Sequence, residues 1–238
     1  IPHRQEVYLE GIEIFEKFLV LEERSEGLTK LRIKTWDDSD GHYIEFNSET
    51  YTAGTGLNPS FESKKLRYGY ASLVEPFSVV EYDMESREKK LLKQHEVLGD
   101  FDSKNYREER RWYTAKDGKK VAVSIVSRPD QQMDGPNKLL LYGYGSYGHT
   151  IEPGFSANRL SLLDRGFTFA IAHVRGGQYL GREWYEDGKM LNKKNTFSDF
   201  IRVADGLVED QITSPEQLFA MGGSAGGLLM GTIINWRP

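Results

Sequence analysis

The sequence predicts an α/β domain built on a largely parallel sheet and preceded by an all-β segment. Three observations carry this. Residues 1–97 are short aromatic and β-branched runs broken by polar turns. From residue 98 onward, apolar runs alternate with helical patterns. Near the end of the chain, Gly222-Gly223-Ser224-Ala225-Gly226-Gly227 stands between two apolar stretches, and a serine flanked by glycines there marks a sharp strand-to-helix turn.

In the first part, residues 18–22, 29–34, 43–46, 66–73 and 78–82 read as strands, separated by turn clusters at 37–41 and 83–86. Strands at this spacing suggest a sandwich, a barrel or a propeller, and no exact internal repeat decides among them. The hairpin from Phe77 through Glu85-Ser86 to Leu92 has the look of the outer pair of a propeller blade.

In the second part, residues 110–114 and 120–127 form a hairpin around Lys116-Asp117-Gly118. Residues 138–142 (KLLLY) and 167–174 (FTFAIAHV) are apolar enough for buried strands, with a helix over 157–165 between them that Gly166 ends. A helix over 196–210 places Phe197, Phe200, Ile201, Ala204, Leu207 and Val208 on one stripe, with Asn195 or Thr196 available as N-cap. The strand 217–221 follows. Alternation of this kind implies a parallel sheet with helices on its faces, and puts Ser224 at the carboxyl end of a central strand.

The 238 residues carry a formal net charge of -5, are 38% hydrophobic and 28% charged, and include no cysteine. Lack of cysteine removes disulfide scaffolds, zinc–cysteine sites and thiol catalysis, and is compatible with a reducing compartment. The negative charge argues against a nucleic-acid surface. No stretch approaches the roughly 18 uninterrupted apolar residues of a membrane span. The start, Ile1-Pro2-His3-Arg4, has neither a signal-peptide pattern nor an initiator methionine, so the true N-terminus is expected to lie upstream. A cytoplasmic location is the expectation.

The pattern G-x-S-x-G suits a nucleophile. A serine at the tip of such a turn is held in a strained conformation, and side chains on its neighbours would clash. A second glycine motif, Gly143-Tyr144-Gly145-Ser146-Tyr147-Gly148, follows the strand 138–142 and matches G-x-G-x-x-G. Dinucleotide binding would need its third glycine to open a helix, yet His149-Thr150-Ile151-Glu152-Pro153-Gly154 makes no first helical turn, and two tyrosines would crowd a pyrophosphate. The other use is in an α/β-hydrolase, where one oxyanion donor comes from the loop after the third strand and the other is the N–H following the nucleophile, here Ala225. A tyrosine hydroxyl in that loop could donate, a contact worth about 3 kcal/mol in the transition state. Equally, both tyrosines could simply pack beneath the site.

Elsewhere the signals are weaker. Ser86-Arg87-Glu88-Lys89 fits S-x-x-K but lies on an exposed hairpin turn. The five histidines show no metal-ligand spacing, and His173 reads as a structural histidine at a strand end. The pairs Glu22-Glu23 and Glu108-Glu109 read as solvated faces.

Taken together, these segments resemble the prolyl oligopeptidase family of serine peptidases over nearly the whole chain. The resemblance rests on Leu66-Arg67-Tyr68-Gly69-Tyr70, YGYGSYG over 142–148, RLSLLDRG over 159–166, His173-Val174-Arg175-Gly176-Gly177, WYEDGK over 184–189, Lys193-Lys194-Asn195-Thr196-Phe197 and the Ser224 turn. It implies the C-terminal blades of a β-propeller over 1–97 and the N-terminal part of an α/β-hydrolase domain over 98–238. The implied activity is cleavage of short peptides after lysine or arginine, without a cofactor. Ser224 is then the nucleophile, with Tyr144 and the Ala225 N–H as oxyanion donors, and Glu152 with Tyr147 on the substrate-binding side. A second acidic position falls on Gly154, and the family's R-G-G-G-E becomes Arg175-Gly176-Gly177-Gln178-Tyr179. The family's aspartate and histidine follow the serine, but the fourteen residues after Ser224 contain neither, so the chain alone is expected to be inactive. The rival readings are an esterase or lipase on the same fold, and a non-catalytic propeller scaffold.

Overall fold

A computed structural model describes residues 1–37, 41–129 and 136–238. Residues 38–40 of the expected turn at 37–41 lie outside the described residues. Thirteen strands among the described residues form three sheets.

Two of these are four-stranded antiparallel meanders. The first runs β1 (Tyr8–Ile14), β2 (Phe18–Ser25), β3 (Leu28–Thr35) and β4 (His42–Tyr43), and the second β5 (Tyr51–Thr55), β6 (Lys65–Ser72), β7 (Ser78–Asp83) and β8 (Lys89–Gln94), each in chain order. A four-stranded antiparallel meander is the unit that a propeller repeats as its blades. Phe15, Phe18, Val20, Leu31 and Ile33 of the first meet Leu66, Tyr68, Tyr82 and Met84 of the second in one buried cluster. The β7–β8 hairpin is the outer pair of its blade, and every residue of β8 is exposed. Two strands go beyond the sequence expectation. β1 exposes Leu9, Ile12 and Ile14, so it lacks the apolar face that would reveal it, and β5 carries Gly54. The strand expected at 43–46 shrinks to His42–Tyr43.

The third sheet has the order β13-β11-β12-β10-β9, from β9 (Arg107–Thr114), β10 (Lys120–Ser127), β11 (Lys138–Tyr142), β12 (Phe167–Ala172) and β13 (Leu218–Met221). β9 and β10 form the expected antiparallel hairpin, and β11 pairs in parallel with both β12 and β13. Helices α1 (Ala157–Leu163), α2 (Arg182–Glu186), α3 (Lys194–Glu209) and α4 (Ala225–Trp236) complete the domain. The core gathers Val121, Val123, Leu139, Leu141, Phe200, Val203, Leu207 and Leu229.

Three details differ from expectation. α3 begins at Lys194 without a side-chain cap, because Asn195 donates to the Asp187 carbonyl and the Thr196 hydroxyl to the Arg175 carbonyl. Val203 joins the buried stripe, while Ile201, Ala204 and Val208 stay half-buried. Most relevant to the site, β13 stands at one edge of the described sheet instead of its centre, with Phe219 and Met221 about half exposed (46% and 50%).

Candidate active site

The sheet order creates the site. From β11 the chain passes through α1 to β12 on one side, then through α3 to β13 on the other. Reversal of direction on the two sides of β11 is a topological switch point, where loops diverge and leave a crevice at the carboxyl ends. Tyr142 and Met221 are register partners at those ends, and the Gly143 N–H donates to the Met221 carbonyl at 3.1 Å. The two glycine motifs leave from neighbouring points.

Ser224 sits between β13 and α4 with φ 52° and ψ -120°. A serine there carries strain of about 1–3 kcal/mol, sustained only when the surroundings enforce it. Enforcement is visible in the glycines. A Cβ on Gly222 would lie 2.5 Å from the Gly226 carbonyl oxygen and 2.9 Å from that of Gly143, and one on Gly226 would lie 2.7 Å from the Gly143 oxygen and 3.5 Å from the Tyr144 Cα. The turn thus closes on itself and against the neighbouring loop. Ser224 is exposed and occupies the N-cap position of α4, whose first N–H groups have no partner four residues back. Gly226 and Gly227 turn theirs onto the Gly223 and Ser224 carbonyls, each at 2.8 Å.

The Tyr144 loop has no regular structure: Gly145, Tyr147 and Gly148 all have positive φ (68°, 58° and 65°). No helix opens at Gly148; coil continues to α1, and the dinucleotide reading loses its anion site. The loop is held from outside. The Gly148 N–H donates to the Gly176 carbonyl at 2.9 Å, and a Cβ on Gly176 would fall 2.0 Å from the Gly145 oxygen. Tyr144 is half-buried and meets His149 edge to face at 5.5 Å. Tyr147 is 80% exposed at the apex, so it does not pack beneath the site.

The Glu152 carboxylate is already engaged. Arg24 of β2 donates to it at 2.5 Å, and also to Glu10 at 2.8 Å and to the Gly27 carbonyl at 2.9 Å. Burial pushes the Glu152 carboxyl up, opposed by the Arg24 charge.

Sequence reasoning missed two supports of the loops. Arg175, buried, donates to both oxygens of Asp199 on α3 and to Asp117 of the β9–β10 turn. Burial works against its charge, but the two carboxylates outweigh this and raise its pKa. Lys193 donates to the Gly145 carbonyl and, at 2.8 Å, to the Ser146 hydroxyl. The only sequence signal for either was membership of a quoted motif, which says nothing of partners.

Other expectations resolve plainly. His173 is structural: its Nε2 pairs with the Ser124 hydroxyl at 2.7 Å and its ring stacks on Tyr179 at 3.6 Å. Ser86 belongs to a hairpin turn, its N–H bound to Asp83. The acidic pairs are not solvated faces. Glu23 is buried with Arg4, Arg32 and Tyr43, Glu22 accepts from the Thr55 N–H, and Glu108 accepts from the Ser48 and Thr50 hydroxyls. Among the described residues no three His, Asp or Glu side chains gather as a metal-binding group.

Propeller blades followed by a sheet with a strained serine turn at its switch point define an α/β-hydrolase with a β-propeller partner. Known proteins bear this out. The model described as the prolyl oligopeptidase N-terminal β-propeller domain matches residues 1–95, and that of the prolyl oligopeptidase family matches residues 153–238. The chain belongs to the prolyl oligopeptidase family of serine peptidases. It is 44% identical to dipeptidyl aminopeptidase BI of Pseudoxanthomonas mexicana and 38% identical to Protease 2 of Moraxella lacunata, over 100% and 99% of its length but 33% and 34% of theirs. It therefore spans about a third of these relatives. Oligopeptidase B from Trypanosoma brucei, in a closed form with covalently bound antipain, superposes with a TM-score of 0.92 at 40% identity, covering 100% of this chain and 35% of that one. Oligopeptidase B from Leishmania major does so at 0.91 and 39%, covering 100% and 34%.

Proposed function

We propose that the full-length protein is a serine oligopeptidase that hydrolyses short peptides after lysine or arginine through an acyl-enzyme. The observation that carries this reading is Ser224, strained at φ 52° on the N-terminus of α4 and backed against the Tyr144 loop. Its Oγ attacks the scissile carbonyl carbon while a histidine beyond residue 238 takes the proton. The carbonyl oxygen, now negative, is met by the Tyr144 hydroxyl and the Ala225 N–H. Collapse expels the amine with the returned proton, and water releases the acid by the same route.

Residues 225–238 hold no Asp or His, so the 238 residues alone are expected to be inert. With Glu152 engaged by Arg24 and Gly154 in place of a second acid, preference for basic side chains would draw chiefly on residues outside this chain.

The test is turnover of a basic dipeptide amide by the full-length protein and its Ser224→Ala variant. Retained activity ends the reading, as does failure of a fluorophosphonate to label the intact protein. Faster turnover of esters with no amide turnover would favour the esterase. A second mode of cleavage is raised by the name of the 44% identical relative, a dipeptidyl aminopeptidase. Substrates with blocked and free amino termini separate the two, since only release of dipeptides requires the free amine.

A further inference from the structure

We propose that Lys193 is a positioning residue for this reaction, pinning the loop that presents Tyr144. The inference rests on the proposed role of Tyr144. Lys193 precedes α3, and its ammonium reaches the carbonyl of Gly145, the residue next to Tyr144, and the Ser146 hydroxyl at 2.8 Å. Three of the four residues 145–148 have positive φ and no ladder or helix holds this backbone, so beyond the turn bond from the His149 N–H to the Ser146 carbonyl at 3.0 Å its geometry depends on outside partners.

The Gly145 peptide is confined on its other sides. A Cβ on Gly145 would fall 2.4 Å from the Thr196 methyl and 2.7 Å from a Val174 methyl, and the Gly145 oxygen abuts Gly176. These contacts resist movement inward. The ammonium supplies the attraction that seats the carbonyl in this slot, and a charge-assisted hydrogen bond is about twice as strong as a neutral one. Lys193 acts on the phenol through one peptide unit, without being assigned any contact with substrate or Ser224.

A double-mutant cycle in the full-length protein tests this. Lys193→Met should lower kcat about tenfold with KM within about twofold, because a displaced donor is lost from the transition state more than from the ground state. In a Tyr144→Phe background the same change should cost less than about twofold, since the hydroxyl being positioned is already gone. Equal losses in both backgrounds, or none in the wild type, would overturn the proposal. If Lys193→Met does not fold, Lys193→Gln, with a shorter neutral donor, is put through the same cycle. Amide exchange reads the pin without turnover: residues 143–149 should exchange about tenfold faster in the variant. Unchanged exchange sinks the pin even if Ser224→Ala has confirmed the reaction, and an active Ser224→Ala protein sinks the reaction even if exchange accelerates.

Discussion

The Arg24 guanidinium lies 2.5 Å from the Glu152 carboxylate and joins the first propeller blade to the coil that follows the Tyr144 loop. Arg24 is 4% exposed and also binds Glu10, so it is the shared cation of two carboxylates from different parts of the chain. The neighbouring turn adds to this junction: Arg110 donates to the Glu26 carbonyl at 2.8 Å, and the Tyr179 ring packs where a Cβ on Gly27 would stand. Tyr179, 1% exposed, is thus an aromatic wedge in the junction.

Arg24→Met should therefore destabilise the full-length protein. It leaves Glu10 and Glu152, 26% and 32% exposed, facing each other with no cation, so the cost should stay below the ~3–5 kcal/mol of breaking a fully buried pair. The urea midpoint should fall accordingly, and salt should weaken the wild-type contact only in part, because the guanidinium is buried while the carboxylates reach solvent. A midpoint unchanged in Arg24→Met would show that the contact contributes nothing.

His173 predicts a distinct acid response. Burial, and then the charges of Arg24 and Arg110, lower its pKa from 6.5 to about 3, so it is neutral when folded. Below pH 6.5 the unfolded chain takes up a proton that the folded chain refuses. Stability from this residue is complete above that pH and is lost as pH falls towards 3, at about 1.4 kcal/mol per pH unit. Unfolding free energies measured between pH 6 and 5, below the unfolded value and well above the folded one, should fall with nearly this slope, and His173→Gln should flatten it. Parallel slopes in the two proteins would refute the assignment.

The reach of sequence reasoning followed the physics of each element. Strands β10 to β12 were legible because buried apolar runs have few other uses, and β13 with the Ser224 turn because the glycines stand between two apolar stretches. β1 and β5 were not, since one exposes its apolar residues and the other is short and contains glycine. The roles of Glu22, Glu23 and Glu108 were hidden for another reason: Arg4, Tyr43, Ser48 and Thr50 lie far from them in sequence, and nothing local marks a carboxylate with a distant partner. The same holds for the grip of Lys193 on Gly145, 48 residues away.

The glycines of the Ser224 turn should divide sharply on replacement by alanine. At Gly226 the new methyl would sit 2.7 Å from the Gly143 oxygen, a backbone atom that cannot swing aside. Gly226→Ala should force the turn away from the Tyr144 loop and cut kcat at least about tenfold, the scale of a displaced catalytic group. Gly227 has nothing within 4 Å of the same position and lies in α4. There alanine should be tolerated, and stabilising by about 0.5–1 kcal/mol through helix propensity. Turnover and thermal unfolding of the two variants check this, and similar losses in both would disprove the close packing.

Tyr144→Phe isolates one hydroxyl. The ring should keep its edge-to-face contact with His149 and its place beside the Ser224 turn, because only the oxygen is removed. If the hydroxyl meets the charge that develops on the carbonyl oxygen, its loss weakens the transition state more than bound substrate. Turnover should then fall by about 10²–10³ with KM nearly unchanged, the usual effect of removing one oxyanion donor. Fluorophosphonate labelling should slow as well, since attack at phosphorus also develops charge on an oxygen. A purely packing tyrosine predicts the reverse: small kinetic change, and a modest shift in unfolding midpoint. Steady-state kinetics and calorimetry on the one variant decide between them, and an unchanged kcat removes Tyr144 from the reaction.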